Sequence, residues 1–310
     1  MEKTYDCIIV GAGPSGLTAA LNLRRNGKTC IVLEKETIGG QIAVSPRVEN
    51  IPGTKEISGE TFANNLFDQI SDLGADFGLE NVESITKEND MFIVKTDYET
   101  YKAYSVILAT GCKHREINVK GEKELTGKGI SYCAVCDGAF YKNEDVVLIG
   151  DANTALQYAL LLSNYCTHVY LNTLFDKFFA DKILIERIFK TPNIIVAHNL
   201  NLIEIKGQEK LEGLVFEDTK TKETKEFKVR GAFVAIGQLP DNDKFKDIVK
   251  LNKGYVVTNE NMETSCPGMY AIGDCRDKKV RQLTTAFSDA SIASFNVNFY
   301  IEDIKGAQHE

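Results

Sequence analysis

Cys133 and Cys136 bracket an Ala-Val pair, and Asp137 follows at once. Two thiols at that spacing can cycle between dithiol and disulfide by thiolate exchange. The same spacing also serves as half of a zinc site. A zinc site needs two further ligands, and the chain has no second paired Cys or His motif. The redox reading is therefore the stronger one. The other cysteines (Cys7, Cys30, Cys112, Cys166, Cys266, Cys275) are scattered, most of them within apolar strands or helices, where inert buried thiols are common. Asp137 fits two roles: a turn residue before Gly138, or a general acid that protonates a leaving thiolate or a reduced cofactor.

A second kind of chemistry is written at the N-terminus. The apolar run Cys7-Ile-Ile-Val10 leads into Gly11-Ala-Gly13-Pro-Ser-Gly16. A strand, a glycine turn and a helix N-terminus make an anion site. Gly11 permits the turn, Gly13 lets the backbone approach a pyrophosphate, and Gly16 lets helix and strand pack closely. A helix over Leu17–Arg25 and a second strand over Thr29–Leu33 supply the required context. The second strand ends at Glu34, where an acid meets ribose hydroxyls in such a dinucleotide site.

The motif recurs, altered, after Val146-Val-Leu-Ile149 as Gly150-Asp151-Ala152-Asn-Thr-Ala155. The methyl of Ala152 occupies the space through which a pyrophosphate would approach, and Asp151 adds like charge beside it. Where the acid or an arginine should meet the second ribose, the chain reads Thr173-Leu174-Phe175. Only Lys177 nearby could take an anion. This second unit is expected to be scaffold, with no working nicotinamide nucleotide site. Ala155 does not count against it, because Ala is tolerated at the third glycine position.

These motifs need elements to hold them. The chain has 310 residues, enough for two ordinary domains, and its 43% hydrophobic and 26% charged content is that of a globular protein. No apolar stretch approaches membrane-spanning length, and strand pattern begins by Tyr5 with no signal peptide before it. The cysteine pattern is no secreted disulfide framework, which points to a reducing, cytoplasmic setting. A net charge of −8 argues against nucleic acid as a partner. A hairpin-like region near Phe92–Thr96 and a buried strand Val106–Ala109 before Thr110-Gly111 complete a first nucleotide unit. A helix over Ala155–Asn164 and antiparallel strands within Leu202–Arg230 follow the second motif. Phe233–Gly237 mirrors the earlier strand. Met269–Asp274 and a last helix over Thr284–Ile301 return to the first unit. The expected fold is α/β, with two Rossmann-like dinucleotide-binding domains of three-layer ββα type, the second inserted into the first. The expected boundaries are 1–113 with 239–310 for the first and 114–238 for the second. A basic island at Arg276, Lys278, Lys279 and Arg281 reads equally as a solvated loop or a docking site.

Taken together, these residues resemble the bacterial low-molecular-weight thioredoxin reductases over nearly the whole chain. The matching segments are Gly11–Gly16, Gly39-Gly-Gln41, Val48-Glu-Asn-Ile-Pro-Gly53, Ala109-Thr-Gly111, Cys133–Asp137, Gly237-Gln-Leu-Pro240, Ile272-Gly-Asp274 and Arg281-Gln282. Each alone is weak; the set is specific. The resemblance implies a flavoprotein homodimer that carries non-covalent FAD. It assigns FAD to Gly11, Gly13, Pro14, Ser15, Gly16, Glu34, Gly40, Gln41, Asn50, Thr110, Gly111, Gly273, Asp274, Arg281 and Gln282. It implies that Cys136 reacts with the flavin, that Cys133 attacks the thioredoxin disulfide, and that Asp137 is the catalytic acid.

The departure is as informative as the match. The family's NADPH site normally has an intact glycine turn and a His-Arg-Arg stretch, and Thr173-Leu174-Phe175 stands there instead. A branch without a pyridine-nucleotide site, the ferredoxin-dependent flavin thioredoxin reductases of anaerobes, is similar in this respect. The resemblance therefore implies reduced ferredoxin as electron donor and thioredoxin as acceptor. The rival readings are a thioredoxin reductase that binds NAD(P)H in an unusual way, a ferredoxin–NADP reductase-like enzyme, and a non-catalytic redox sensor built on FAD and the dithiol.

Overall fold

A computed structural model describes residues 4–45, 48 and 50–307. The chain forms two compact units. One comprises Met1–Ser45, Ile51–Lys113 and Leu239–Glu310, and the other Pro46–Asn50 and His114–Gln238. Of the segments that carry the resemblance, Glu49 lies outside the described residues.

The first unit opens with strand β1 (Thr4–Val10), helix α1 (Pro14–Arg25), strand β2 (Cys30–Glu34), helix α2 (Gly59–Asp72) and strands β3 (Asp76–Leu79), β4 (Val82–Glu88), β5 (Met91–Thr96) and β6 (Thr100–Leu108). These strands lie in the order β3-β2-β1-β6-β5-β4. The β1–β2 and β1–β6 pairs are parallel, with Cys7 opposite Cys30 and Ser105; β4 and β5 form an antiparallel hairpin on β6. β1 is covered on both faces, which is why it reads as a near-continuous apolar run. Alternation assigns its side chains: Ile8 and Val10 enter one core with Phe92 and Phe245, while Cys7 and Ile9 enter another with Leu17 and Leu23 of α1.

The second unit contributes β7 (Ile130–Ser131), β8 (Asp145–Ile149), α3 (Asn153–Leu162), β9 (His168–Asn172), α4 (Lys182–Lys190), β10 (Ile194–Ala197), β11 (Leu200–Lys206), β12 (Gly213–Asp218), β13 (Thr224–Phe227) and β14 (Gly231–Val234). Its parallel sheet runs β10-β9-β8-β14-β7, and β11-β12-β13 form an antiparallel layer of their own. The chain then re-enters the first unit, where β15 (Met269–Ala271) pairs with the end of β6 and helix α5 (Leu283–Ala307) packs on α1. The α/β architecture with parallel cores is as expected from the motifs. Helix α3 begins before Ala155 because the Ala152 turn already starts it, and α5 runs past Ile301. Among the described residues no helix is long and apolar enough to cross a membrane.

Candidate functional site

The dinucleotide cradle is built where β1 stops. Gly11 has φ +112°, and a Cβ there would stand 2.3 Å from the Ala109 carbonyl oxygen. A Cβ on Gly16 would stand 1.9 Å from the Gly11 carbonyl oxygen. Both glycines are therefore demanded by the protein's own packing. Gly13 is different. It caps α1 with φ −71° and ψ 175°, a conformation open to any residue, and its Cβ would meet nothing within 4 Å. The protein leaves this space empty, in front of the amides of a helix N-terminus that carries Pro14 in its first turn. The Gly39 amide donates to the Ala12 carbonyl at 2.8 Å and brings Gly40 beside Gly13.

Polar groups converge on the same end of the sheet. Glu34 accepts the amides of Ala12 (2.7 Å) and Glu36 (2.8 Å), which leaves lone pairs for ribose hydroxyls. Ser15 is buried beneath Gly273, whose Cβ would stand 2.5 Å from the Ser15 hydroxyl. Asp274 is next, and its Oδ1 is buried without a hydrogen-bond partner. Burial pushes that carboxyl above the usual carboxylate range, with Lys278 and Arg281 opposing the effect. Arg281 lies over the Tyr255 ring at 4.4 Å and donates to the Asp274 carbonyl at 3.4 Å. The Gln282 amide donates to Thr285. Gln41 donates to the Cys112 carbonyl. Gly111 has φ +64°, and the Thr110 hydroxyl donates to Asn242 Oδ1 at 2.6 Å. Asn50 belongs to the second unit rather than to the cradle's own. An open pyrophosphate path, spare acceptors at Glu34 and an Asp274 oxygen that has no hydrogen bond, with only the Lys278 ammonium 3.8 Å away, fit FAD.

Asn242 had escaped the sequence reading. It is fully buried, and its Nδ2 donates to the Gly254 (2.9 Å) and Cys275 (3.2 Å) carbonyls. It thus ties Thr110 to the Asp274 turn. Its only signal was an asparagine shortly after Gly237–Pro240.

The basic island is corrected by the structure. Arg276 and Lys278 are only 13% and 11% exposed, and both bind Asp289 of α5, at 2.7 Å and 2.9 Å. Asp289 also accepts the Gly273 amide at 3.0 Å. These cations anchor the turn that carries Asp274 and do not form a docking rim; of the four, Lys279 is the one classed as exposed.

In the second unit Cys133 and Cys136 are joined as a disulfide at the start of a short helical turn, Ala134–Asp137. The Cys136 amide lies 3.2 Å from the Cys133 sulfur. Asp137 Oδ2 accepts the Ser131 hydroxyl at 2.5 Å, while Oδ1 is buried without a partner. Burial raises this carboxyl's pKa, and the Ser131 hydrogen bond opposes the rise.

In the second fingerprint the turn pairs with a later segment of the chain. Gly150 keeps φ +151°, but Ala152 pairs with Phe179 as a parallel bridge, and the Phe179 amide donates to the Asp151 carbonyl at 2.7 Å. Asn153 at the start of α3 exchanges hydrogen bonds with Asp181. The Thr173 hydroxyl is taken by the Phe175 carbonyl and His198. Lys177 lies over the Phe179 ring at 5.3 Å. Leu174, Phe175 and Phe179 remain 47%, 50% and 55% exposed. Three exposed apolar side chains thus stand at and beside the Thr173-Leu174-Phe175 stretch.

The sequence matches the pyridine nucleotide-disulphide oxidoreductase family over residues 5–290. It is 38% identical over 306 residues to a thioredoxin reductase of Bacillus subtilis, covering 98% of this chain and 97% of the relative. It is 39% identical over 302 residues to a 34.2 kDa protein in a rubredoxin operon of Clostridium pasteurianum, covering 97% and 98%. The crystal structure of thioredoxin reductase from Streptococcus pyogenes superposes with a TM-score of 0.94 at 34% identity, covering 98% of this chain and all of that one. The chain belongs to the pyridine nucleotide-disulphide oxidoreductase family and is a disulfide oxidoreductase of the thioredoxin reductase type, with FAD as its cofactor.

Proposed function

We propose that this chain reduces the disulfide of thioredoxin and draws its electrons from reduced ferredoxin, not from NADPH or NADH. The donor half rests on one observation: Phe179 is bridged to Ala152 across the turn where a nicotinamide dinucleotide's pyrophosphate needs free approach. Asp151 adds to it, since burial raises that carboxyl's pKa and an incoming phosphate would raise it further. A relative named for a rubredoxin operon is in keeping with a one-electron iron protein as donor.

In this reading Gly11, Gly13 and the first turn of α1 hold the pyrophosphate, Glu34 the ribose, and Asp274 the chain beyond it. FAD held by these residues would supply the chemistry that joins single-electron delivery to two-electron reduction of the disulfide. As the Cys133–Cys136 bond breaks, Cys133 leaves as a thiolate and Asp137 holds the proton that can neutralise it. Cys133 then attacks thioredoxin's disulfide and forms a mixed disulfide, releasing one thioredoxin thiol. Cys136 attacks the Cys133 sulfur, restores the internal disulfide and releases the second thiol. Two electrons and two protons reach thioredoxin in each turn.

The test is anaerobic. The FAD-loaded protein is mixed in parallel with NADPH, NADH and chemically reduced ferredoxin, and flavin absorbance is followed. Ferredoxin alone should bleach the flavin, and thioredoxin thiols should then accumulate. Rapid bleaching by either nucleotide overturns the donor. Flavin reduction by ferredoxin with no thiols formed overturns the acceptor and leaves the redox-sensor reading standing.

A further inference from the structure

We infer that Ser131 is a positioning residue for the dithiol chemistry, holding Asp137 and Cys133 in one hydrogen-bond chain. This rests on the reading of Asp137 as the acid. Ser131 is buried in the last position of β7, two residues before the first sulfur. Its hydroxyl accepts the Cys133 amide at 3.0 Å and donates to Asp137 Oδ2 at 2.5 Å. One side chain thus fixes both ends of the Cys133–Asp137 segment.

A hydroxyl has one proton to give. Two acceptors are in reach, Oδ2 at 2.5 Å and the Cys133 carbonyl at 3.4 Å, and the shorter contact takes the proton; this locks Oδ2 as an acceptor and leaves Oδ1, which is buried and has no hydrogen bond, as the position that carries the exchangeable proton. A packing role would need no such division. Donation to the carboxylate also favours its ionised form, against burial. Ser131 thereby keeps the acid from being trapped in its protonated state. Around it, Tyr141 has its phenol pushed up to about 12 by burial, with Asp137 and Glu144 adding to the rise. On α3, which packs against this turn, burial also raises the phenol of Tyr158. Both tyrosines stay neutral while the carboxyl titrates, and in the oxidised protein the disulfide sulfurs do not titrate.

The experiment compares Ser131→Ala, Ser131→Thr, Ser131→Val and Asp137→Asn in the FAD-loaded protein. The first readout is the titration of the Asp137 carboxyl in the oxidised protein, by carboxyl-carbon NMR with Asp137→Asn as the assignment blank. The second is the pH profile of thioredoxin reduction by chemically reduced enzyme. Removing the donating hydroxyl raises the carboxyl's midpoint, so Ser131→Ala moves the titration and the alkaline limb of the rate to higher pH. On the low-pH plateau, where the acid is protonated in either protein, it should be about tenfold slower because Asp137 and Cys133 are no longer held together, short of the ~10²–10⁴ that a general acid contributes and that Asp137→Asn should forfeit. Ser131→Thr restores both. Ser131→Val, the size of threonine without its hydroxyl, behaves as Ala. If Ser131→Ala or Ser131→Val leaves midpoint and limb unmoved while Asp137→Asn is slow, the inference fails alone. If Asp137→Asn is as fast as wild type, the underlying reading of Asp137 fails.

Discussion

Gly13→Ala separates what the first fingerprint does for the fold from what it does for the ligand. At Gly13 the backbone is extended and an added Cβ would meet no protein atom within 4 Å. Two small terms act on the fold. Replacing glycine at a compatible conformation stabilises by about 0.4–1 kcal/mol through the unfolded chain. Helix N-caps prefer glycine to alanine by a comparable amount. The apo-protein should therefore unfold within about 1 kcal/mol of wild type. FAD should not be indifferent. The methyl stands in the open space in front of the amides of the first turn of α1, and a hydrogen bond to a charged phosphate is worth about 1.5–3 kcal/mol. Losing one weakens FAD by about 10- to 150-fold. Gly11→Ala and Gly16→Ala are the contrast. Their methyls would collide with backbone carbonyls at 2.3 Å and 1.9 Å, so they should cost stability directly, by at least about 1–3 kcal/mol. Urea melts of apo-protein and FAD titration by fluorescence quenching read the two effects separately. Unchanged FAD affinity in Gly13→Ala, or unfolding of its apo form, would refute the reasoning.

Three further outcomes are expected. Cys133→Ser and Cys136→Ser should both abolish thioredoxin reduction and keep FAD, with a long-wavelength charge-transfer band only in Cys133→Ser; the band in the other variant reverses the assignment of the sulfurs. Asp289→Ala leaves Arg276 and Lys278 buried without their shared partner, so it should destabilise by about 3–5 kcal/mol in urea, and a loss below about 1 kcal/mol would dismiss the network as structural support. His114 stacks on Tyr132 at 4.9 Å, and burial holds its pKa down at about 4. The unfolded chain therefore takes up that proton first as pH falls below the ordinary value of 6.5. Stability should decline from there towards pH 4, and His114→Gln should flatten the slope; an equal slope in the variant assigns it to other groups.

What could be read in the sequence was what is local. The Gly11–Gly16 turn, the Cys133–Cys136 pair and the succession of strands and helices along the chain each depend on residues within one βα step, and hydrophobic period carries that information. The misreading of Arg276 and Lys278 came from a partner that is not local. Asp289 lies in the second turn of α5, and nothing in the island itself shows that a carboxylate folds back onto it. Ser131 and Asn242 escaped for the same reason: each matters through what its side chain reaches, Asp137 in one case and Thr110 in the other. The second fingerprint shows both sides of this. Its lost glycine was visible at Ala152, but the substitution alone left room for a nucleotide bound in another way, with Lys177 as its anchor. Tertiary structure closes much of that room. The Phe179 amide is spent on the Asp151 carbonyl and Lys177 rests on the Phe179 ring, so neither is a free donor for an incoming anion. An unmade buried hydrogen bond costs about 1–3 kcal/mol, comparable to what one phosphate contact returns. The donor experiment therefore bears on the second unit more sharply than any single substitution in it.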